Sequence, residues 1–251
     1  MIDFLLPDWS DAPAQVGALS TLRSGGVSLA PYDDGHGGGG LNLGLHVGDH
    51  ALTVQQNRAL LQAHLPGAPV WLEQVHGIRV VDAAGVTGLP QADASVTDRP
   101  GMVCAVMTAD CLPVLFCDFA GRVVGAAHAG WRGLAGGVLE ATVARMRESG
   151  AEEILAWLGP AIGPGQFEVG SDVRAAFMTR DAQAAAGFIP VPAQPGKYLA
   201  DIYFLARQRL EAIGGVHCHG GHHCTVTEVD RFYSFRRDRV TGRMASMIWI
   251  A

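Results

Sequence analysis

Uncharged apolar runs bounded by turn residues dominate the middle of the chain. Residues 102–107 (MVCAVM), 113–117 (PVLFC) and 123–127 (VVGAA) are apolar throughout rather than at alternate positions. Runs of this length predict strands covered on both faces. The first gives way to Thr108, Ala109, Asp110 and Cys111, the second to a turn at 118–121, and the third to His128 and then Gly130-Trp131-Arg132-Gly133. Further strands are predicted over 14–22, 71–76, 78–81, 91–97, 154–158 and 244–250. Helical spacing predicts a helix capped at Asp49 or Thr53 and running to about Leu65, with Leu52, Ala59, Leu60 and Ala63 inward. A second helix is predicted over 132–148, with Ala135, Leu139, Val143 and Met146 on one face. Others follow over 171–178 and after a capping Asp201, with Ile202, Leu205, Ala206, Leu210 and Ile213 inward. The glycine-rich 35–39 and the proline-containing 182–196 read as loops.

Composition narrows the class. A chain of 251 residues, 49% hydrophobic and without a Gly/Ser/Pro linker, is expected to form one domain over 1–251. A net charge of −6 argues against a nucleic-acid or anionic-membrane surface. The N-terminus has an acid at position 3 and no basic stretch, so it does not read as a secretory signal. No uncharged apolar stretch reaches the ~18–20 residues that span a bilayer. Five cysteines without framework spacing point to a reducing compartment, so a cytoplasmic α/β protein is expected.

The candidate chemistry lies where the apolar runs stop. His76, Cys111 and His128 each close or adjoin one, and their spacing is too wide for the close ligand pairs of a zinc finger. Ligands from separate strand ends suit a catalytic zinc with an open position, whose water ionises near pH ~7. Taken singly, a buried cysteine and two core histidines would look the same. Asp110, beside Cys111, is placed to orient a water, to act as its base, or to hold a ligand imidazole. Arg132 and the amides opening the 132–148 helix offer an anion site, or Arg132 only braces the loop. Arg236 and Arg237, near Tyr233 and Phe235, form an edge suited to phosphate and a flat base, or an ordinary solvated turn. His46 reads as a site-edge residue. HCHGGHHC at 217–224 is rich in metal-binding side chains, but few combinations in so short a loop reach tetrahedral geometry, so adventitious or no binding is expected.

Several blocks occur in order: NLGLHVGD at 42–49, WLEQVHG at 71–77, ADA at 92–94, TADCLPVLF at 108–116, AAHAGWRG at 126–133, GPAIGP at 159–164, FEVG at 167–170 and FYSFRRDRVTGRMASMIWI at 232–250. Together they resemble the YfiH family, also labelled laccase-domain polyphenol oxidases. The resemblance departs from the family pattern at 35–39, which reads as an insertion before Asn42, and at 165–166, where relatives often carry a cysteine. It implies an α+β fold, with mixed β-sheets flanked by helices in a layered sandwich like that of a deamidating toxin. It implies a metal held by His76, Cys111 and His128, zinc with copper as the competitor. The implied activity is phosphorolysis of adenosine, inosine and guanosine to base and ribose 1-phosphate, with adenosine deamination. Small nucleosides and phosphate would be the partners, rather than nucleic acid or membrane. Cys111, Asp110 and Arg132 are the expected catalytic residues, and Asn42, Arg58 and Arg236 the expected substrate contacts. Three other readings stay open. One makes Cys111 a nucleophile with His128 or His76 as base, in a hydrolase that edits peptidoglycan precursors. Another is a copper-dependent polyphenol oxidase, and the last a non-catalytic zinc-buffering or partner-binding module.

Overall fold

The computed structural model describes residues 2–251. Its core is two mixed sheets. The first has five strands in the order Phe4–Leu5, Val16–Thr21, Met244–Ile250, Val103–Thr108 and Pro69–Val70. The second has six, in the order Val216–Gly220, Ile154–Leu158, Leu112–Asp118, Val124–Ala129, Ala94–Thr97 and Val80–Asp82. Most neighbours run antiparallel, but Pro69–Val70 runs parallel to Val103–Thr108, Val216–Gly220 to Ile154–Leu158, and Val80–Asp82 to Ala94–Thr97. A small sheet of Glu168–Gly170, Lys197–Ala200 and Phe188–Pro190 stands apart.

The two-faced apolar runs find their reason in the layering. Cys104 and Val106 join Leu115, Cys117, Val124, Ala126, Leu155, Trp157 and Ile248 in a cluster between the two sheets. Their strand neighbours point the other way. Val103, Ala105 and Met107 pack with Ala245, Met247, Leu41, Leu43 and Leu61, under the helix Ala51–Gln62. Leu112, Val114, Phe116, Ala127 and Ala156 pack against Leu134, Leu139, Val143, Met146, Leu205 and Leu210 of the helices on the opposite side. Side chains alternate across a strand, so an element covered on both faces must be apolar at every position. The result is an α+β layered sandwich: helix, sheet, sheet, helices. Among the described residues no helix is long and apolar enough to cross a membrane.

Several expectations need correction. The 71–76 run is not a strand; the strand is Pro69–Val70, and only Glu73 makes a bridge beyond it, to Gln91. Asp93 takes the backbone N–H groups of Val75, His76 and Gly77, so this segment bonds to a side chain instead of a ladder. The 132–148 helix is two, Trp131–Gly136 and Val138–Glu148, broken where Gly137 turns to φ 108°. HCHG at 217–220 belongs to an edge strand rather than a loop. Finally, the helix Ala51–Gln62 is rotated relative to its apolar stripe: Val54, Asn57 and Leu61 are buried, whereas Leu52 is 63% exposed. Asn57 is the cause. Its amide donates to Ser28 Oγ, Gly40 O and Asn42 O, and its oxygen accepts from Val27 N–H. A polar anchor turned inward is invisible to a count of apolar periodicity. Asp49 does not cap this helix with its side chain; it accepts from Ser28 Oγ and Asn42 Nδ2 instead.

Asn57→Leu keeps the branched shape and removes every one of these bonds, leaving the Val27 N–H and the buried Gly40 and Asn42 carbonyls without this partner. Each orphaned group costs about 1–3 kcal/mol, so urea unfolding should show a loss of roughly 3 kcal/mol or more. A midpoint equal to that of the wild type would show that the anchor is dispensable.

Candidate metal centre

One buried carboxylate assembles the centre. Asp93 is fully buried at the mouth of the strand Ala94–Thr97. Its Oδ1 accepts from His76 N–H at 2.9 Å and lies 2.8 Å from His128 Nδ1; Oδ2 accepts from Gly77 N–H at 2.6 Å and Val75 N–H at 3.2 Å. Its carbonyl accepts from His128 N–H at 2.7 Å, extending the ladder between the two strands. Burial works to raise the Asp93 carboxyl, but the hydrogen bonds from His128 and Gly77 and the charge of His128 bring it below the usual range. A carboxylate on Nδ1 leaves Nε2 of His128 for a ligand, the usual arrangement behind a metal-bound histidine. The same three amides hold His76 at φ 60°, a left-handed backbone that a non-glycine residue adopts only under restraint.

Cys111 arrives by register. The strands Leu112–Asp118 and Val124–Ala129 form an antiparallel pair with Pro113 opposite His128 and Leu112 opposite Ala129. Cys111, the residue before the first strand, therefore faces Gly130, the residue after the second. A Cβ on Gly130 would come 2.7 Å from His76 Cδ2 and 3.1 Å from Cys111 Sγ. Glycine keeps that space open between the two ligands. Cys111 Sγ lies 3.7 Å from His76 Nε2, and the His76 and His128 rings meet edge to face with centroids 4.7 Å apart. One ligating atom from each of His76, Cys111 and His128 lies within 4.8 Å of the others. Burial works to raise the Cys111 thiol, but the His128 charge and bonds from both imidazoles overcome it and bring it to about 6. Burial likewise works to lower His128, but the Cys111 and Asp93 charges and bonds raise it to about 9. A thiolate, two imidazoles and an open cradle fit a metal ion.

The structure sorts the other expected residues. Asp110, at φ 93°, is 9% exposed and turns its carboxylate away from the imidazoles: Oδ1 accepts from Thr225 Oγ1 and Oδ2 from Arg236 N–H, each at 2.6 Å. The imidazole-holding role considered for Asp110 falls to Asp93. Asn42 is fully buried, with Oδ1 accepting from Gly44 and Arg243 N–H and Nδ2 donating to Asp49, so it braces the loop. Arg236 spans Gln166 O and Glu168 O with its two terminal nitrogens. Arg132 is exposed, stacked over the Trp131 ring at 4.3 Å, and heads a six-residue helix rather than the long one expected. Arg58 is half-buried, bonded to Leu43 O. Sequence reasoning missed Asp93. Its signal was a charge at the mouth of a buried run.

Comparison with known proteins follows the geometry. A family model described as multi-copper polyphenol oxidoreductase laccase matches residues 17–251. The chain is 56% identical over 257 residues to a protein of Escherichia coli (strain K12) named purine nucleoside phosphorylase YfiH, with 100% of both chains covered. The chain belongs to the YfiH family. A purine nucleoside phosphorylase of Pseudomonas aeruginosa is 54% identical, covering 98% of each chain. A crystal structure of a Neisseria meningitidis protein of family DUF152 superposes with a TM-score of 0.89 at 52% identity, again covering 98% of each chain.

In this YfiH-family chain the histidine-rich 217–224 does not gather into a second cluster. His217 pairs with Glu153, His222 with Asp8 and His223 with Glu228, while Cys224 Sγ accepts from Gly163 N–H. Alternation along the strand Val216–Gly220 separates the rest.

Two outcomes follow. Asp93→Asn should weaken metal retention 10–100-fold, as loss of a carboxylate behind a ligand histidine does; metal content after dialysis against a graded chelator measures it, and wild-type retention would remove Asp93 from its role. Replacing His217, His219, His222 and His223 together with Ser should leave the metal content unchanged, and loss of one equivalent would place an ion in that segment.

Proposed function

We propose that the chain is a zinc-dependent purine nucleoside enzyme of the cytoplasm, acting as one domain. It would cleave adenosine, inosine and guanosine with phosphate and also deaminate adenosine. The observation that carries this reading is the His76–Cys111–His128 cluster, held by Asp93 and opened by Gly130. It occurs in a chain aligned end to end with relatives named purine nucleoside phosphorylase. One thiolate and two imidazoles are the donor set of a zinc site with a position left open. The five cysteines are all unpaired, in keeping with a reducing compartment.

The two reactions make different demands. In phosphorolysis a phosphate oxygen bonds to C1′ as the C1′–N9 bond breaks, and the base departs with a proton, leaving ribose 1-phosphate. In deamination the oxygen of water adds at C6 and ammonia leaves, giving inosine. A zinc ion supplies positive charge and a more acidic water to such a site. The chain's own residues do the rest. Asp93 fixes the tautomer and direction of His128, Gly130 keeps the cradle open, and Asp110 holds the turn before Cys111 by binding Thr225 and Arg236. Copper accepts the same donors, so metal analysis belongs in the test.

The low thiol of Cys111 beside His128 favours a second reading, in which sulfur is the nucleophile. Chelation separates the two. Under the zinc reading, purified protein carries about one zinc per chain. It releases base and ribose 1-phosphate from inosine and inosine from adenosine, loses deamination on chelation and regains it with zinc. Under the nucleophile reading, metal removal frees the thiolate and raises turnover of a precursor amide. Higher hydrolase activity after chelation, with no nucleoside product, would overturn the assignment; copper with oxidation of a phenol would do so in favour of the laccase description.

A further inference from the structure

Two arginines at the rim of the metal centre lack a carboxylate partner. Arg58 Nε and Nη2 both donate to Leu43 O, at 3.0 and 2.8 Å, and its guanidinium lies 4.1 Å from the Trp71 ring centroid. Arg243 Nη1 donates to Thr241 O at 3.1 Å and Gly242 O at 3.0 Å. Among the described residues neither has a carboxylate oxygen within 4.0 Å, although both are half-buried. Arg58 Nη1 and Arg243 Nε and Nη2 have no protein acceptor among the described residues.

Both arginines clasp one segment, 42–44. Arg58 takes Leu43 O; Arg243 gives its own carbonyl to Leu43 N–H and its N–H to Asn42 Oδ1, and its Cγ would stand 2.8 Å from a Cβ on Gly44. That segment borders the metal centre. Met244, next to Arg243, pairs with Thr108, and the chain runs on from Thr108 through Ala109 and Asp110 to Cys111. Arg58 Nη2 lies 3.9 Å from Met107 Sδ on the same strand end. His46 stands just beyond Gly44.

The charges confirm the crowding. Burial pushes Arg58 down to about 10. Burial, then the charges of Arg243 and Arg58, lowers His46. Burial lowers Arg243 even though Cys111 and Asp110 pull the other way. At the turn whose carbonyl Arg243 grips, Thr241 Oγ1 is buried with no hydrogen-bond partner. Positive charge drawn out of water without a counter-charge is costly, and an anion relieves it. Free guanidinium edges match the oxygens of a tetrahedral phosphate, and arginine is suited to such two-point contacts.

We propose that Arg58 and Arg243 form the subsite for a phosphoryl group, as inorganic phosphate and as the ester of ribose 1-phosphate. The proposal rests on the nucleoside reading for its place in a reaction; the anion site itself follows from the unpaired cations. It keeps Arg58, a substrate contact expected from the sequence, adds Arg243, and displaces Arg236 and Arg132. Arg236 spends both terminal nitrogens on carbonyls, and Arg132 is stacked and exposed.

The test is calorimetric titration of inorganic phosphate, and separately ribose 1-phosphate, into the metal-loaded protein. Arg58→Lys and Arg243→Lys keep a positive charge but lose the fork. Each should bind both ligands at least tenfold more weakly and raise KM for phosphate to match, with zinc content and melting temperature held as checks on folding. Arg99→Gln, on an exposed turn at the opposite end of the strand Val103–Thr108, should bind as the wild type does. Should either lysine variant misfold, protection of the wild type by phosphate against arginine modification by phenylglyoxal, mapped to Arg58 and Arg243, tests the same point. Wild-type affinity in both folded lysine variants, no protection of these arginines, or no phosphate binding by the wild type overturns the subsite. Phosphate binding through these arginines without nucleoside cleavage retains the subsite and rejects the phosphorylase reading.

Discussion

The centre depends on the Asp93 carboxylate. It is buried, and each of its oxygens serves more than one donor: Oδ1 the His76 amide and the His128 imidazole, Oδ2 the amides of Val75 and Gly77. One side chain therefore ties a loop of one layer to a strand of the next. A buried carboxylate with so many donors is tolerable only because all of them are present together; removing one leaves the remainder under-satisfied. That interdependence makes the geometry of the two histidines a single property rather than two.

Strain accumulates at the same place. His76 and Asp110 both have positive φ, at 60° and 93°; the first belongs to the cluster and the second precedes Cys111. A left-handed backbone costs a non-glycine residue roughly 1–2 kcal/mol, so each needs local bonds that outweigh it. Asp93 supplies them for His76. For Asp110 they come from Thr225, from Arg236 N–H and from Ile162 N–H, which donates to the Asp110 carbonyl. The loops at 159–164 and 224–237 thus shape the turn that presents Cys111 without touching the ligands themselves.

Charge is arranged with a similar economy. The Cys111 thiol and His128 stabilise each other's charged forms, whereas Arg58 and Arg243 lie half-buried without carboxylate partners. The protein places its compensated charges where a metal would bind and its uncompensated ones beside them. Such an imbalance is unfavourable to the free fold and favourable to an anionic ligand.

Much of this was written in the linear sequence, for a local reason. Strands covered on both faces must be apolar throughout, so 102–107, 113–117 and 154–158 declared their conformation and their burial. The ends of apolar runs marked His76, Cys111 and His128, and the blocks resembling the YfiH family made them a candidate ligand set. Bonds between side chains and distant backbone were not legible, because nothing in local spacing encodes them. Asn57 turned a helix against its apolar stripe, Asp93 replaced a strand with a loop held by a carboxylate, and Asn42, expected at the substrate, became a brace. Register alone set Cys111 opposite Gly130. By itself the sequence determined most of the core strands, since these follow from burial, while the layering and the candidate ligand set came from the blocks that resemble the YfiH family. Only the tertiary structure decided which carboxylate orients those ligands and which arginines stand uncompensated, since both depend on contacts between residues far apart in the chain.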